Sequence, residues 1–150
     1  MVAHRRTLLT GLACSAALGR PAGAQARETP IVQPVEATPA GFLRRAFEMR
    51  DLALKAGDQG FGAVVVREAM IVGQAPSRVV SNTDPTAHAE MEAIRDAARR
   101  LHVRNLSGAV LYSSFRPCPM CEAAAHWAGI SRMVYGDAAT DGGPPRLNRG

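Results

Sequence analysis

Cys118 and Cys121 stand three residues apart in Pro117-Cys118-Pro119-Met120-Cys121, and two thiols at that spacing on a helix lie on one face. The positive end of a helix favours the anionic thiolate, the form that binds metal. A pair of sulfurs does not complete a site, because catalytic zinc takes three protein ligands and keeps a fourth position open. His88, about thirty residues upstream in Asp84-Pro85-Thr86-Ala87-His88-Ala89-Glu90, is the third donor that this reading selects. A histidine alone is more often a hydrogen-bonded structural residue than a ligand. Glu90 alone reads as a first-turn acid complementing the helix dipole. A Cys-x-x-Cys thiol oxidoreductase would use the same pair, but that chemistry has no need of His88 and Glu90.

The elements that must carry these residues follow from periodicity. Phe42, Leu43, Ala46, Phe47, Met49, Leu52, Ala53 and Leu54 give a helix over residues 41–55, ended at Gly57, with Phe42, Phe47 and Leu52 as a core stripe. Residues 61–66 are rich in β-branched side chains and read as a buried strand, paired with 70–72 across a turn at Arg67 and Glu68. A second helix is expected over 87–101, capped by Asp84 or Thr86. His88 and Glu90 are two apart and would not share a face in mid-helix. At a first turn, however, a group just beyond the helix end is reached from either side of the axis, and unpaired N–H groups face the same space. A strand over 109–115, a helix over 120–128 begun cleanly by Pro117 and Pro119, and a strand over 132–136 complete the pattern. Alternating helices and strands of this kind make a layered α/β domain.

His-x-Glu followed by Pro-Cys-x-x-Cys is the signature of zinc nucleobase deaminases. From about residue 42 to 136, including Gly62-Ala63-Val64-Val65-Val66 and Trp127-Ala128, the chain resembles the cytidine deaminase superfamily. Within it, the segments around His88 and Cys118 look most like the guanine deaminase and nucleoside deaminase branch. The resemblance implies a three-layer α/β/α domain with a mixed sheet, here shortened at its C-terminus. It also implies Zn2+ held by His88, Cys118 and Cys121, with Glu90 as the catalytic proton shuttle while hydroxide from a zinc-held water displaces an exocyclic amine. Ser77, Ala89 and Asp141 are the substrate contacts it implies, and Thr140-Asp141, like a Thr-Asp pair of guanine deaminases, favours guanine. A small purine or pyrimidine as partner and a homodimer as assembly complete these implications. Two departures bear on the pocket. Ser77 stands where relatives carry an asparagine, and one hydroxyl cannot replace both groups of an amide. Phe115 and Arg116 stand where relatives carry a cysteine or threonine and then a glutamate. Beyond Gly136 only residues 137–150 remain, where relatives continue into a further helix and usually a strand.

Length and composition, 150 residues and 47% hydrophobic, fit one globular domain. The net charge of +5 includes Arg5, Arg6 and Arg20, which lie among residues 1–26 with no acid beside them and leave only +2 for the remainder. So small a surplus is no footprint for nucleic acid. Residues 1–26 read as an export signal: Arg5-Arg6, an apolar run over 8–18, and Ala24-Gln25-Ala26 as a cleavage pattern. The paired arginines before Thr7-Leu8-Leu9 resemble a twin-arginine signal, implying a periplasmic destination. The apolar run is shorter than the roughly 20 residues that span a bilayer, so no anchor is expected in the mature form. Residues 27–40, with three prolines, read as a linker, and 41–150 as the deaminase domain. Two further readings share these residues. A tRNA adenosine deaminase would use the same ligands, although the small charge surplus argues against a polyanion. A degenerate, non-catalytic zinc module is motivated by Ser77 and the short tail.

Overall fold

A computed structural model of the chain describes residues 30–147; the expected export signal lies outside them. Eight elements follow one another: α1 (Pro39–Lys55), β1 (Gly62–Arg67), β2 (Met70–Pro76), α2 (Ala89–Leu101), β3 (Val110–Ser113), α3 (Pro119–Trp127), β4 (Arg132–Tyr135) and β5 (Thr140–Gly143). The strands form one sheet in the order β2-β1-β3-β4-β5. β1 runs antiparallel to β2 and β3, β3 and β4 are parallel, and β5 returns antiparallel to β4. The sheet is therefore mixed.

Strand alternation divides the core into two layers. Val64, Val66, Tyr112 and Val134 face α1 and pack with Phe42, Leu43 and Met49. Ala63, Val65, Leu111 and Met133 point the other way and pack with α2 and α3 through Ala93, Ala97 and Ala125. Helices thus cover both faces, giving the three-layer α/β/α domain expected from the sequence. Among the described residues no helix is long and apolar enough to cross a membrane.

Several local expectations are corrected. α1 begins at Pro39, not residue 41: Thr38 is its N-cap, accepting from the Gly41 N–H at 3.1 Å, and Pro39 takes the first helical position. Its buried stripe is Phe42, Ala46, Met49 and Ala53, spaced at helical period, while Leu52, about a quarter turn round the helix from it, is 48% exposed. The β1–β2 turn falls at Glu68 and Ala69, both in the left-handed region (φ 52° and 60°), the backbone that a two-residue hairpin requires. Val72 is an extra residue in β2, since Val65 pairs with Gly73 and Val66 with Ile71. β5 has no counterpart among the expected elements: Thr-Asp-Gly-Gly has no apolar alternation, and what makes it a strand is pairing to the edge of β4. Two described residues of the expected linker bond to β2. Gln33 donates to the Ile71 carbonyl and accepts from the Ile71 N–H, both at 2.9 Å, and the Pro30 carbonyl accepts from Gln74.

Two glycines let the outer layers approach the sheet. A Cβ on Gly62 would lie 2.1 Å from the Ala46 carbonyl oxygen of α1. A Cβ on Gly73 would lie 2.5 Å from the Ala97 nitrogen of α2.

Candidate metal centre

Three connections meet at one end of the sheet: α1 to β1, β2 to α2, and β3 to α3. The register places Ala63, near the start of β1, opposite Ser113, the last residue of β3, and Gly62 opposite Pro76, the last residue of β2. His88 is the N-cap of α2 and Cys118 the N-cap of α3, both in extended conformation. These positions usually hold a serine, threonine, aspartate or asparagine whose side chain bonds the first turn, worth about 1 kcal/mol. Neither His88 nor Cys118 caps its own helix. Their side chains instead turn toward each other, so Asp84 and Thr86, expected as caps of α2, are corrected: Asp84 Oδ1 accepts from the N–H and the hydroxyl of Thr86, forming a turn ahead of the helix.

His88 Nδ1 lies 3.7 Å from Cys118 Sγ and 3.6 Å from Cys121 Sγ, and the two sulfurs are 3.6 Å apart. Both thiols are free, and the separation is far beyond a disulfide bond of about 2.05 Å. Tetrahedral zinc with bonds of about 2.3 Å to sulfur and about 2.0 Å to nitrogen requires edges of about 3.8 and about 3.5 Å. The observed triangle fits that requirement.

The protonation chemistry points the same way. Burial pushes the Cys121 thiol well above its ordinary value, and the neighbouring Glu90 carboxylate and Cys118 push it further. A fully buried sulfur beside a carboxylate is an anion only if a cation compensates it. His88, Cys118 and Cys121 therefore form a donor set that suits a divalent cation with affinity for sulfur and imidazole.

Glu90, in the first turn of α2, is 5% exposed. Its Oε1 accepts from Ser113 Oγ at 2.9 Å, and its Oε2 lies 3.5 Å from Cys121 Sγ. One oxygen is thus anchored while the other faces the cluster. Ser113 was not singled out from the sequence. The signal that finds it is register: Leu111 faces α2, so Ser113, two residues on, faces it too. Asp58 was missed as well. Its carboxylate is buried and accepts from Gln59 N–H, Ser77 Oγ, Val80 N–H and Ser81 N–H.

The expected substrate contacts are placed differently. Ser77 is 2% exposed, with its hydroxyl given to Asp58 at 3.0 Å. Ala89 is buried in the apolar core, leaving its backbone N–H as its polar feature. Asp141 is not brought to the cluster: it pairs with Arg132, at the end of β4 away from Ser113, and accepts from the Gly143 N–H. Arg116 is exposed.

The family model for the cytidine and deoxycytidylate deaminase zinc-binding region matches residues 38–137. The guanine deaminase of Bacillus subtilis is 41% identical over 101 residues, covering 67% of this chain and 65% of that protein. The tRNA-specific adenosine deaminase of Aquifex aeolicus is 38% identical over 94 residues, covering 63% of this chain and 62% of the relative. The chain thus spans somewhat less than two thirds of the length of either. Among solved structures, the B. subtilis guanine deaminase superposes with a TM-score of 0.61 at 40% identity, covering 63% of this chain and 61% of that one. A guanine deaminase from Nitrosomonas europaea gives 0.65 at 26%, covering 89% and 72%. With two thirds of its residues matched and the histidine and both cysteines of the signature gathered within 4.8 Å, the chain belongs to the cytidine and deoxycytidylate deaminase zinc-binding family.

Proposed function

We propose that this chain is a zinc-dependent hydrolase that removes the exocyclic amine from a small purine or pyrimidine, with guanine as the preferred base. The observation that carries the reading is the half-anchored Glu90 beside the His88, Cys118 and Cys121 triangle. Zinc held by those three residues supplies Lewis acidity and makes water nucleophilic near neutral pH. Glu90 Oε2, the oxygen facing the cluster, takes one proton of the attacking water and passes it to a ring nitrogen, then takes the second from the newly bound hydroxyl and passes it to the departing amine. Ser113 keeps Oε1 from rotating into that role. The ring carbon gains a bond to oxygen and loses its bond to nitrogen, and ammonia leaves. Preference for guanine rests on similarity to the B. subtilis enzyme, not on Asp141, which is engaged with Arg132.

The test is ammonia release by zinc-loaded protein from guanine, adenine, cytosine and their nucleosides. Release from guanine is the expected result. Silence on every base would overturn the reading in favour of a non-catalytic zinc module, and turnover confined to a tRNA stem-loop would overturn it in favour of RNA editing. We also propose export through residues 1–26, tested by whether Arg5→Lys with Arg6→Lys retains the protein in the cytoplasm. Homodimer formation is proposed on the exposed Phe115 and Trp127, 64% and 77% accessible, tested by light scattering.

A further inference from the structure

We propose that Asp58 is a positioning residue for the metal centre, acting through the loop that delivers His88. The inference rests on the metal-binding reading of that centre and goes beyond it, since Asp58 belongs to neither the ligand set nor the proton relay. Asp58 sits in the connection between α1 and β1, at the end of the sheet where the loop between β2 and α2 also lies. Its Oδ1 accepts from Gln59 N–H at 2.8 Å and Ser77 Oγ at 3.0 Å, and its Oδ2 accepts from Val80 N–H at 3.1 Å and Ser81 N–H at 2.9 Å. Three of the four donors belong to the loop between β2 and α2. That loop then closes on itself next to the ligand: Arg78 N–H donates to the carbonyl of Ala87 at 2.9 Å, and Ala87 N–H to the carbonyl of Asp84 at 3.1 Å. Ala87 is fully buried and immediately precedes His88. Ser77, held by Asp58, immediately precedes Arg78. The backbone on both sides of that closure is therefore fixed, one side by Asp58 and the other by α2.

The carboxylate is suited to this work in a way that an amide is not. Four hydrogen bonds from N–H and O–H donors use the acceptor capacity of both oxygens, and only an ionised carboxylate offers that without a donor of its own. Burial pushes the Asp58 carboxyl upward, but the hydrogen bonds from Ser81, Gln59 and Ser77 more than offset this and hold it well below the usual carboxylate range. Asp58→Asn keeps the shape and replaces one acceptor by an NH2 group. At Oδ2 this sets two donors against the N–H groups of Val80 and Ser81; at Oδ1 it opposes Gln59. The loop must shift in either case, and His88 shifts with it. Partners that orient metal ligands typically change metal affinity by about 10- to 100-fold when removed.

The experiment compares zinc affinity, by competition with a chromophoric chelator, and the visible spectrum of the cobalt-substituted protein, for the unmodified chain, Asp58→Asn, Ser77→Ala and Ile71→Val. Ile71 lies in the α1 layer and its shortening lowers stability without touching the loop. Asp58→Asn should weaken zinc binding by about tenfold or more and alter the cobalt band. Ser77→Ala removes one of the four bonds, leaves the carboxylate in place and should weaken binding by about fivefold, so the inference stays testable if Asp58→Asn does not fold. Ile71→Val should leave affinity and spectrum unchanged at a temperature where it is folded. Zinc affinity unchanged in both loop variants would overturn the inference while leaving the proposed reaction intact. An equal loss in Ile71→Val would also overturn it, by showing that the effect is general instability. Failure of the unmodified chain to bind zinc would overturn both this inference and the proposed function, whereas zinc binding without turnover on any base would overturn only the latter.

Discussion

Gly73→Ala adds one methyl group where β2 meets α2, and its effect can be worked from distances. The new Cβ would stand 2.5 Å from the Ala97 nitrogen, and 2.6 Å from both the Ala93 carbonyl oxygen and the Ala97 Cβ. Carbon atoms in contact prefer about 3.5–4.0 Å, so α2 must retreat from the sheet by about 1 Å. No flexible side-chain end is available to yield, since two of the three opposing atoms are helix backbone. Two terms then compete. Gly73 is not in the left-handed region, so replacing it by alanine reduces the freedom of the unfolded chain and favours folding by about 0.4–1 kcal/mol. Overpacking a close-fitted interior costs about 1–3 kcal/mol. The steric term is larger, and a net loss of about 1–2 kcal/mol is expected. The same retreat carries the first turn of α2, stretching the 2.9 Å contact between Ser113 and Glu90 beyond hydrogen-bonding range. A 1 Å misplacement at a reacting group can cost about 100-fold in rate. Urea denaturation of the zinc-loaded protein measures the first effect and deamination kinetics the second. A variant as stable and as active as the parent would refute the view that Gly73 sets the distance of α2 from the sheet.

Glu90→Gln should keep zinc and lose turnover by at least about 100-fold, checked by metal analysis beside kinetics; substantial residual activity would remove Glu90 from the proton path. Ser113→Ala leaves one oxygen of a buried carboxylate without its partner and should lower stability by about 1–3 kcal/mol, with kcat falling more than KM rises and Ser113→Thr restoring both. Ala69→Gly removes a left-handed alanine from the β1–β2 turn and should raise the denaturation midpoint, the gain being about 1 kcal/mol. Asp58 has a folded-state pKa below its unfolded value, so its contribution is complete above about pH 4, the ordinary carboxylate value, and is lost as pH falls below that. Acid titration of unfolding free energy should show this loss, and Asp58→Asn should flatten that limb.

What could be read from the sequence was what depends on residue type and short spacing. Cys118 and Cys121 are ligand types at a helical interval, and His88 and Glu90 complete a pattern of chemistry as well as order. The helices around them followed from apolar period, which set the start of α1 at residue 41 because it overlooks Thr38-Pro39, a capping sequence that carries no apolar signal. The sequence did not disclose what is defined by tertiary register. Ser113 is one polar residue at a strand end, and only its alignment with α2 makes it a partner of Glu90. Asp58 resembles any loop aspartate until the 77–81 segment folds over it. Nor does a matching Thr-Asp dipeptide tell whether an arginine across the hairpin pairs with the aspartate, as Arg132 does with Asp141.

Gln33 has a consequence for where the independently stable unit begins. By offering an amide oxygen and an amide nitrogen to one residue of β2, the outermost strand of the sheet, it imitates a neighbouring strand. An uncovered flank is a template onto which another polypeptide can add itself. The stretch ahead of α1 thus guards the edge strand, and shortening the chain to the first helix should leave that edge open to strand addition.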